Sequence, residues 1–128
     1  MTSPEIDPEI DPVVSNPGLY SVIFENDRVR VLEYLDEPGA ESVPHDHPDS
    51  VMITLTAFER RLSAGDRTVD VEMPAATARW LAAQRHSGRN TGTTPTHCIF
   101  VELKEPAPVP PTGLLGARTI TLTGDVPD

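Results

Sequence analysis

No stretch of this chain sustains the i, i+3, i+4 apolar stripe of an amphipathic helix, whereas short runs of β-forming residues recur along its middle. That contrast restricts the fold to one built from strands. The runs fall at 22–24, 29–35, 43–47, 51–58, 68–72, 77–83 and 96–103. Polar or Pro/Gly turns separate them, among them Glu25-Asn-Asp-Arg28, Pro38-Gly39 and the hairpin loop Ser63-Ala-Gly-Asp-Arg67. Many short strands at close, regular spacing predict an all-β sandwich or barrel. With 128 residues, 38% of them hydrophobic, there is material for one compact core and not two.

Proline sets the boundaries. Nine of the 14 prolines lie in residues 1–17 and 105–128. Pro lacks an amide proton, so the tandem repeat Pro4-Glu-Ile-Asp-Pro-Glu-Ile-Asp-Pro12 suits neither helix nor sheet. Residues 1–18 are therefore expected to form a disordered acidic arm, 19–104 a barrel, and 105–128 a Pro-rich linker with a returning strand over 117–123.

Twenty acids against 10 bases give a net charge of −10, and no segment gathers Lys or Arg into a stripe; Arg60-Arg61 is the nearest thing. A phosphate backbone would be repelled, which argues against a nucleic-acid partner. Apolar runs such as Ile99-Phe-Val101 are too short to cross a bilayer, so no membrane partner is expected. No basic, apolar leader pattern is visible, and a cytoplasmic location is expected. The single cysteine, Cys98, excludes a disulfide framework or a multi-cysteine zinc site within one chain and is expected to be buried and inert.

Chemistry enters with four histidines, His45, His47, His86 and His97. Strand period two sends His45 and His47 to one face of an extended segment and Asp46 to the other. Two imidazoles aimed at one point are half of a mononuclear metal site. Asp49 could point in. His97 shares parity with Ile99, Val101 and Leu103, the apolar and expected inward face. It reads as a core histidine, or else as a fourth ligand or general base beside the metal. Trp80 and Phe100 read as core.

Gly39, His45 and His47 match the first motif of the cupin family in type and spacing, and His86 and Asn90 match its second motif. From about residue 20 to residue 105 the chain resembles a small single-domain bacterial cupin. The resemblance implies a double-stranded β-helix, or jelly-roll barrel, with His45, His47 and His86 as metal ligands. Strand period then puts Gln84 beside His86 as its hydrogen-bond partner. The family's glutamate ligand would fall at Val51 or Met52, so Met52 occupies a possible ligand slot that packing explains better. Phe58 or Glu59 stands where the first motif closes on Gly, and Ala75, Leu81 and Ala83 replace Gly, Pro and Gly of the second. What remains is a three-histidine site.

Three neutral imidazoles leave a divalent ion its full charge, making it a stronger Lewis acid than one bound by a carboxylate and favouring anionic or enolisable ligands. Resemblance to three-histidine cupins implies Fe(II) and dioxygen chemistry on a small organic molecule. Zn, Ni, Cu and Mn are the other candidate metals, with isomerase, lyase or cyclase chemistry as the redox-neutral alternative. A non-catalytic module that binds a small molecule is a third reading. A homodimer is expected, because a sandwich this small has sheet edges to cover.

Overall fold

In the computed structural model the described residues are 10–105. They form one short helix, α1 (Pro12–Ser15), and nine strands: β1 (Tyr20–Glu25), β2 (Val29–Asp36), β3 (His45–His47), β4 (Ser50–Thr54), β5 (Phe58–Ala64), β6 (Arg67–Met73), β7 (Ala78–Leu81), β8 (Gln84–Asn90) and β9 (Thr96–Leu103). Two antiparallel sheets face each other, ordered β1-β2-β9-β4-β7 and β3-β8-β5-β6. The predicted all-β barrel is present. No helix among the described residues is long and apolar enough to cross a membrane. The expected returning strand over 117–123 lies outside the described residues.

Two local readings differ. The run at 51–58 is not one strand: β4 ends at Thr54 and β5 starts at Phe58, because Thr54 turns its hydroxyl to the Pro74 carbonyl and hands the chain to the opposite sheet. Within the expected 1–18 arm, residues 11–16 are instead folded against the barrel. Asp11 caps α1 by accepting from the Val13 amide, with Pro12 in the first helical position, where a missing N–H costs nothing. Pro12 is buried, and Asp11 reaches the Arg30 guanidinium at 2.6 Å. Asn16 then clasps the Val43 backbone, accepting from its N–H at 2.8 Å and donating to its carbonyl at 3.2 Å. These side-chain contacts outweigh the proline and charge signature that marked the segment as solvated.

The core between the sheets is Tyr20, Leu32, Tyr34, Phe58, Met73, Cys98 and Phe100. In β9 the burial alternates with Thr96, Cys98, Phe100 and Glu102 inside. This reverses the expected parity: His97, Ile99, Val101 and Leu103 face outward. Trp80, expected in the core, is 54% exposed on the same outer face. An apolar row crosses the whole five-stranded sheet there, Phe24–Val31–Val101–Val51–Trp80, each residue paired in register with the next.

Inside the barrel lies a buried polar group that does not belong to the histidines. Arg60 donates to Asp36 at 2.7 Å, to Thr96 at 3.0 Å and to Tyr34 at 3.1 Å. Asn90 donates to the other Asp36 oxygen at 3.0 Å. Every partner is satisfied, which is what allows a charge pair so deep in a small core. Gly88 makes room for it: a Cβ there would stand 3.0 Å from the Arg60 guanidinium.

Candidate metal centre

The three predicted ligands are brought together by register. On β3 and β8, His45 lies directly opposite His86 and His47 opposite Gln84, while Asp46 faces Arg85 on the other side. Strand alternation buries His45 and His47 and turns Asp46 out, where it pairs with Arg85 at 2.7 Å. The three rings sit with centroids 4.9–5.2 Å apart, and one nitrogen of each lies within 4.8 Å of the others.

The other ring nitrogen of each histidine has an acceptor. His45 Nδ1 lies 2.7 Å from the Val43 carbonyl, His47 Nδ1 2.8 Å from Glu102 Oε2, and His86 Nδ1 2.9 Å from Gln84 Oε1. A carbonyl or carboxylate can only accept, so the ring proton belongs on each Nδ1 and the lone pair on each Nε2. The rings are thereby held in the tautomer and orientation a metal requires. Burial lowers the pKa of His45 to about 4, and burial with the neighbouring His47 and His45 lowers that of His86 to about 3. Both are neutral, ligand-competent imidazoles throughout the physiological range.

One hydroxyl stands among the three lone pairs. Tyr20 Oη is 3.2 Å from His45 Nε2 and 3.2 Å from His47 Nε2. It has one proton for two acceptors, and His86 Nε2 has no donor among the described residues. The cluster is short of positive charge, and a divalent cation fits that deficit. Burial, the largest effect, raises the Tyr20 pKa well above its ordinary value.

Of the remaining predicted residues, Gln84 is where the sequence placed it, on His86. Met52 packs against the core and lines the cavity. Asn90 is held by Asp36 and the Thr94 carbonyl, away from the histidines. His97 is not at the centre: it points outward and meets Glu33 at 2.6 Å. Asp49 accepts from the Ala83 amide instead of pointing in. Cys98 is buried, and burial pushes its thiol up to about 12, as expected of an inert cysteine. Phe100 is in the core as expected and also stacks on His47, at 5.0 Å between centroids.

Tyr20 and Glu102 escaped the sequence reading. Glu102 is 2% exposed and is held from behind by Arg30 at 3.0 Å, which in turn holds Asp11. A chain of charges thus runs from the cap of α1 to the ring of His47. The signal for Glu102 was its place at alternate positions with Cys98 and Phe100; nothing local marked Tyr20.

No protein-family model matches the chain, and no curated protein matches it. Among solved structures it is similar to a cupin domain from Bordetella pertussis Tohama I, with 21% identity over 82% of this chain and 99% of that one and a TM-score of 0.64. A conserved protein with a double-stranded β-helix domain from Klebsiella pneumoniae subsp. pneumoniae MGH 78578 shares 22% identity over 66% and 75% of the two chains, with a TM-score of 0.55. A cupin family protein from Methanocaldococcus jannaschii reaches the same TM-score at 10% identity, over 66% and 78%. At such identities the likeness is one of architecture, and it agrees with the strand order and the inward-facing histidines: the chain has the double-stranded β-helix fold of the cupins.

Proposed function

We propose that His45, His47 and His86 hold one divalent transition metal, Fe(II) by preference, and that the chain is a metal-dependent enzyme of the dioxygenase type acting on a small molecule inside the barrel. The observation that supports this is the ring-proton pattern: three Nδ1 protons committed to acceptors, and three Nε2 lone pairs converging with one hydroxyl proton between them. A metal bound there supplies Lewis acidity and, as Fe(II), electrons for dioxygen. The chain's own groups do the rest. Val43, Glu102 and Gln84 hold the rings in place. Phe100 and Met52 keep water from the apolar side of the centre.

A redox-neutral isomerase, lyase or cyclase is the second reading, and Tyr20 favours it. Its hydroxyl is buried beside two of the ligating atoms, where it can give a proton to a bound substrate.

The test begins with elemental analysis of untagged protein and of the His45→Ala, His47→Ala and His86→Ala variants. Each variant should lose most of its metal and stay folded, while His97→Ala keeps it. Metal retained in all three would remove the site. Nitric oxide added to the Fe(II) form then separates the readings: a paramagnetic adduct strengthened by substrate supports oxygen chemistry. Turnover with zinc under anaerobiosis supports the redox-neutral one. No turnover with any metal would leave a binding module.

A further inference from the structure

We propose that the barrel cavity is selective for a small organic anion, a short-chain carboxylate, and that Arg79 at its mouth is the residue that recognises the charge. The proposal deepens the metal reading by naming the ligand class, but its charge recognition stands on residues that do not touch the metal centre.

The chain as a whole carries 20 acids and 10 bases, yet among the described residues the lining of the cavity contains no Asp or Glu. It contains two arginines, Arg60 and Arg79, together with His45 and His86. The acids close by are already matched: Asp36 is held by Arg60, and Glu102 by Arg30 and His47. With His45 and His86 neutral and Arg60 balanced by Asp36, the charge left over in that lining is the positive one on Arg79, and a divalent metal would add to it.

The two arginines differ in availability. Arg60 is committed to Asp36, Tyr34 and Thr96, and its charge is compensated. Arg79 has no hydrogen-bond or ion-pair partner among the described residues. It lies on β7 opposite Met52 of β4, and strand alternation turns it and Leu81 toward the cavity while Trp80 faces out. A guanidinium with no partner among the described residues, on a cavity whose described lining holds no carboxylate, is a ready partner for a bidentate carboxylate.

Size and walls narrow the class further. The cavity encloses about 120 Å³, somewhat less than the ~150 Å³ that takes up a benzene molecule. The enclosed part of a ligand is therefore held to about six non-hydrogen atoms. Phe58, Leu62, Val71, Met73 and Phe100 supply apolar walls, so a short hydrocarbon body suits the interior and the carboxylate the mouth.

Butyrate and butyramide, equal in size and different in charge, test this directly by amide chemical-shift titration of the full chain, first metal-free and then zinc-loaded. Butyrate should shift the amides of Gly88 and Leu81 saturably, and butyramide should bind at least about tenfold more weakly. Arg79→Gln should abolish that preference. Arg79→Lys should keep part of it, and Arg67→Gln, on the β5–β6 hairpin and not among the cavity-lining residues, all of it. Raising the salt should weaken butyrate and not butyramide. Equal binding of the two probes, no saturable shift by either, or a preference that survives Arg79→Gln would each overturn the proposal. Because the metal-free titration does not depend on the histidines, loss of metal binding in elemental analysis would refute the metal centre without touching this result.

Discussion

Glu102→Gln isolates the one carboxylate that orients a proposed ligand. Glu102 uses both oxygens: Oε2 accepts from His47 Nδ1 at 2.8 Å, and Oε1 accepts from Arg30 Nε at 3.1 Å and Nη2 at 3.0 Å. A glutamine keeps the shape but has only one accepting end. If its carbonyl serves Arg30, its amide N–H faces His47 Nδ1, which must then become the acceptor. The ring proton moves to Nε2 and blocks the ligating lone pair. If the carbonyl serves His47, two buried donors confront each other at Arg30. Losing such an orienting partner typically costs 10–100-fold in metal affinity, about 1.4–2.7 kcal/mol. The forced conflict puts this variant near the upper end, about 100-fold. Competition against a chromophoric chelator measures it, with the thermal melt confirming a folded barrel. The control is Glu33→Gln. Glu33 meets His97 at 2.6 Å on the same sheet, the same pair of groups on the opposite face, and its removal should leave metal affinity unchanged. A folded Glu102→Gln protein with a Kd within about twofold of the parent, or a Glu33→Gln protein that loses as much, would refute the reasoning.

Tyr20→Phe removes the only proton between two Nε2 lone pairs; the metal-free protein should lose about 1–2 kcal/mol, seen in its melt, while metal content stays at the parental level. For pH, His45 and His86 have folded pKa values of about 4 and 3 against an ordinary 6.5, so below pH 6.5 the unfolded chain takes up protons that the folded chain does not. Metal-free stability should thus be full well above pH 6.5 and fall with decreasing pH, by about 1.6 kcal/mol from His45 alone between pH 6.5 and 5. His86 is partly reached by solvent and adds less. A ring-proton NMR titration midpoint near 6.5 for either residue would contradict this. The homodimer remains our proposal; the apolar row ending in Phe24 and Trp80, each 54% exposed, gives a second copy a surface to cover. Sedimentation at micromolar concentration should show a dimer, and a monomer would dispose of it.

Much of this was legible in residue pattern. His45 and His47 declared themselves by a period of two. His86 needed motif spacing, because nothing local says that β8 will lie against β3 with His86 facing His45. Gln84 then followed from the same period. Tyr20 was invisible, since its place depends on α1 and Asn16 fastening the chain to Val43, a contact 27 residues apart in sequence. Residues 11–16 of the expected arm were misjudged for the same reason: composition reports solubility, while Asp11 is paired with Arg30 and Pro12 is buried.

The inverted parity of β9 has a deeper cause, and it connects fold to chemistry. Hydrophobic alternation identifies the buried face of a strand only when the interior is apolar. Here the interior is a polar site, so β9 turns Thr96, Cys98 and Glu102 inward beside Phe100, and leaves Ile99, Val101 and Leu103 outside. The inward set serves the site residue by residue: Thr96 accepts from Arg60, Phe100 stacks on His47, and Glu102 fixes its ring. The carboxylate missing from the expected ligand slot at Val51 or Met52 is thus matched by one set behind a histidine. In that position it holds the ring without coordinating through its own oxygens, and Arg30 balances its charge. A metal bound by the three Nε2 atoms would keep more of its positive charge toward the cavity, which Arg79 lines with no ion-pair partner among the described residues. Both features favour the same kind of ligand, an anion.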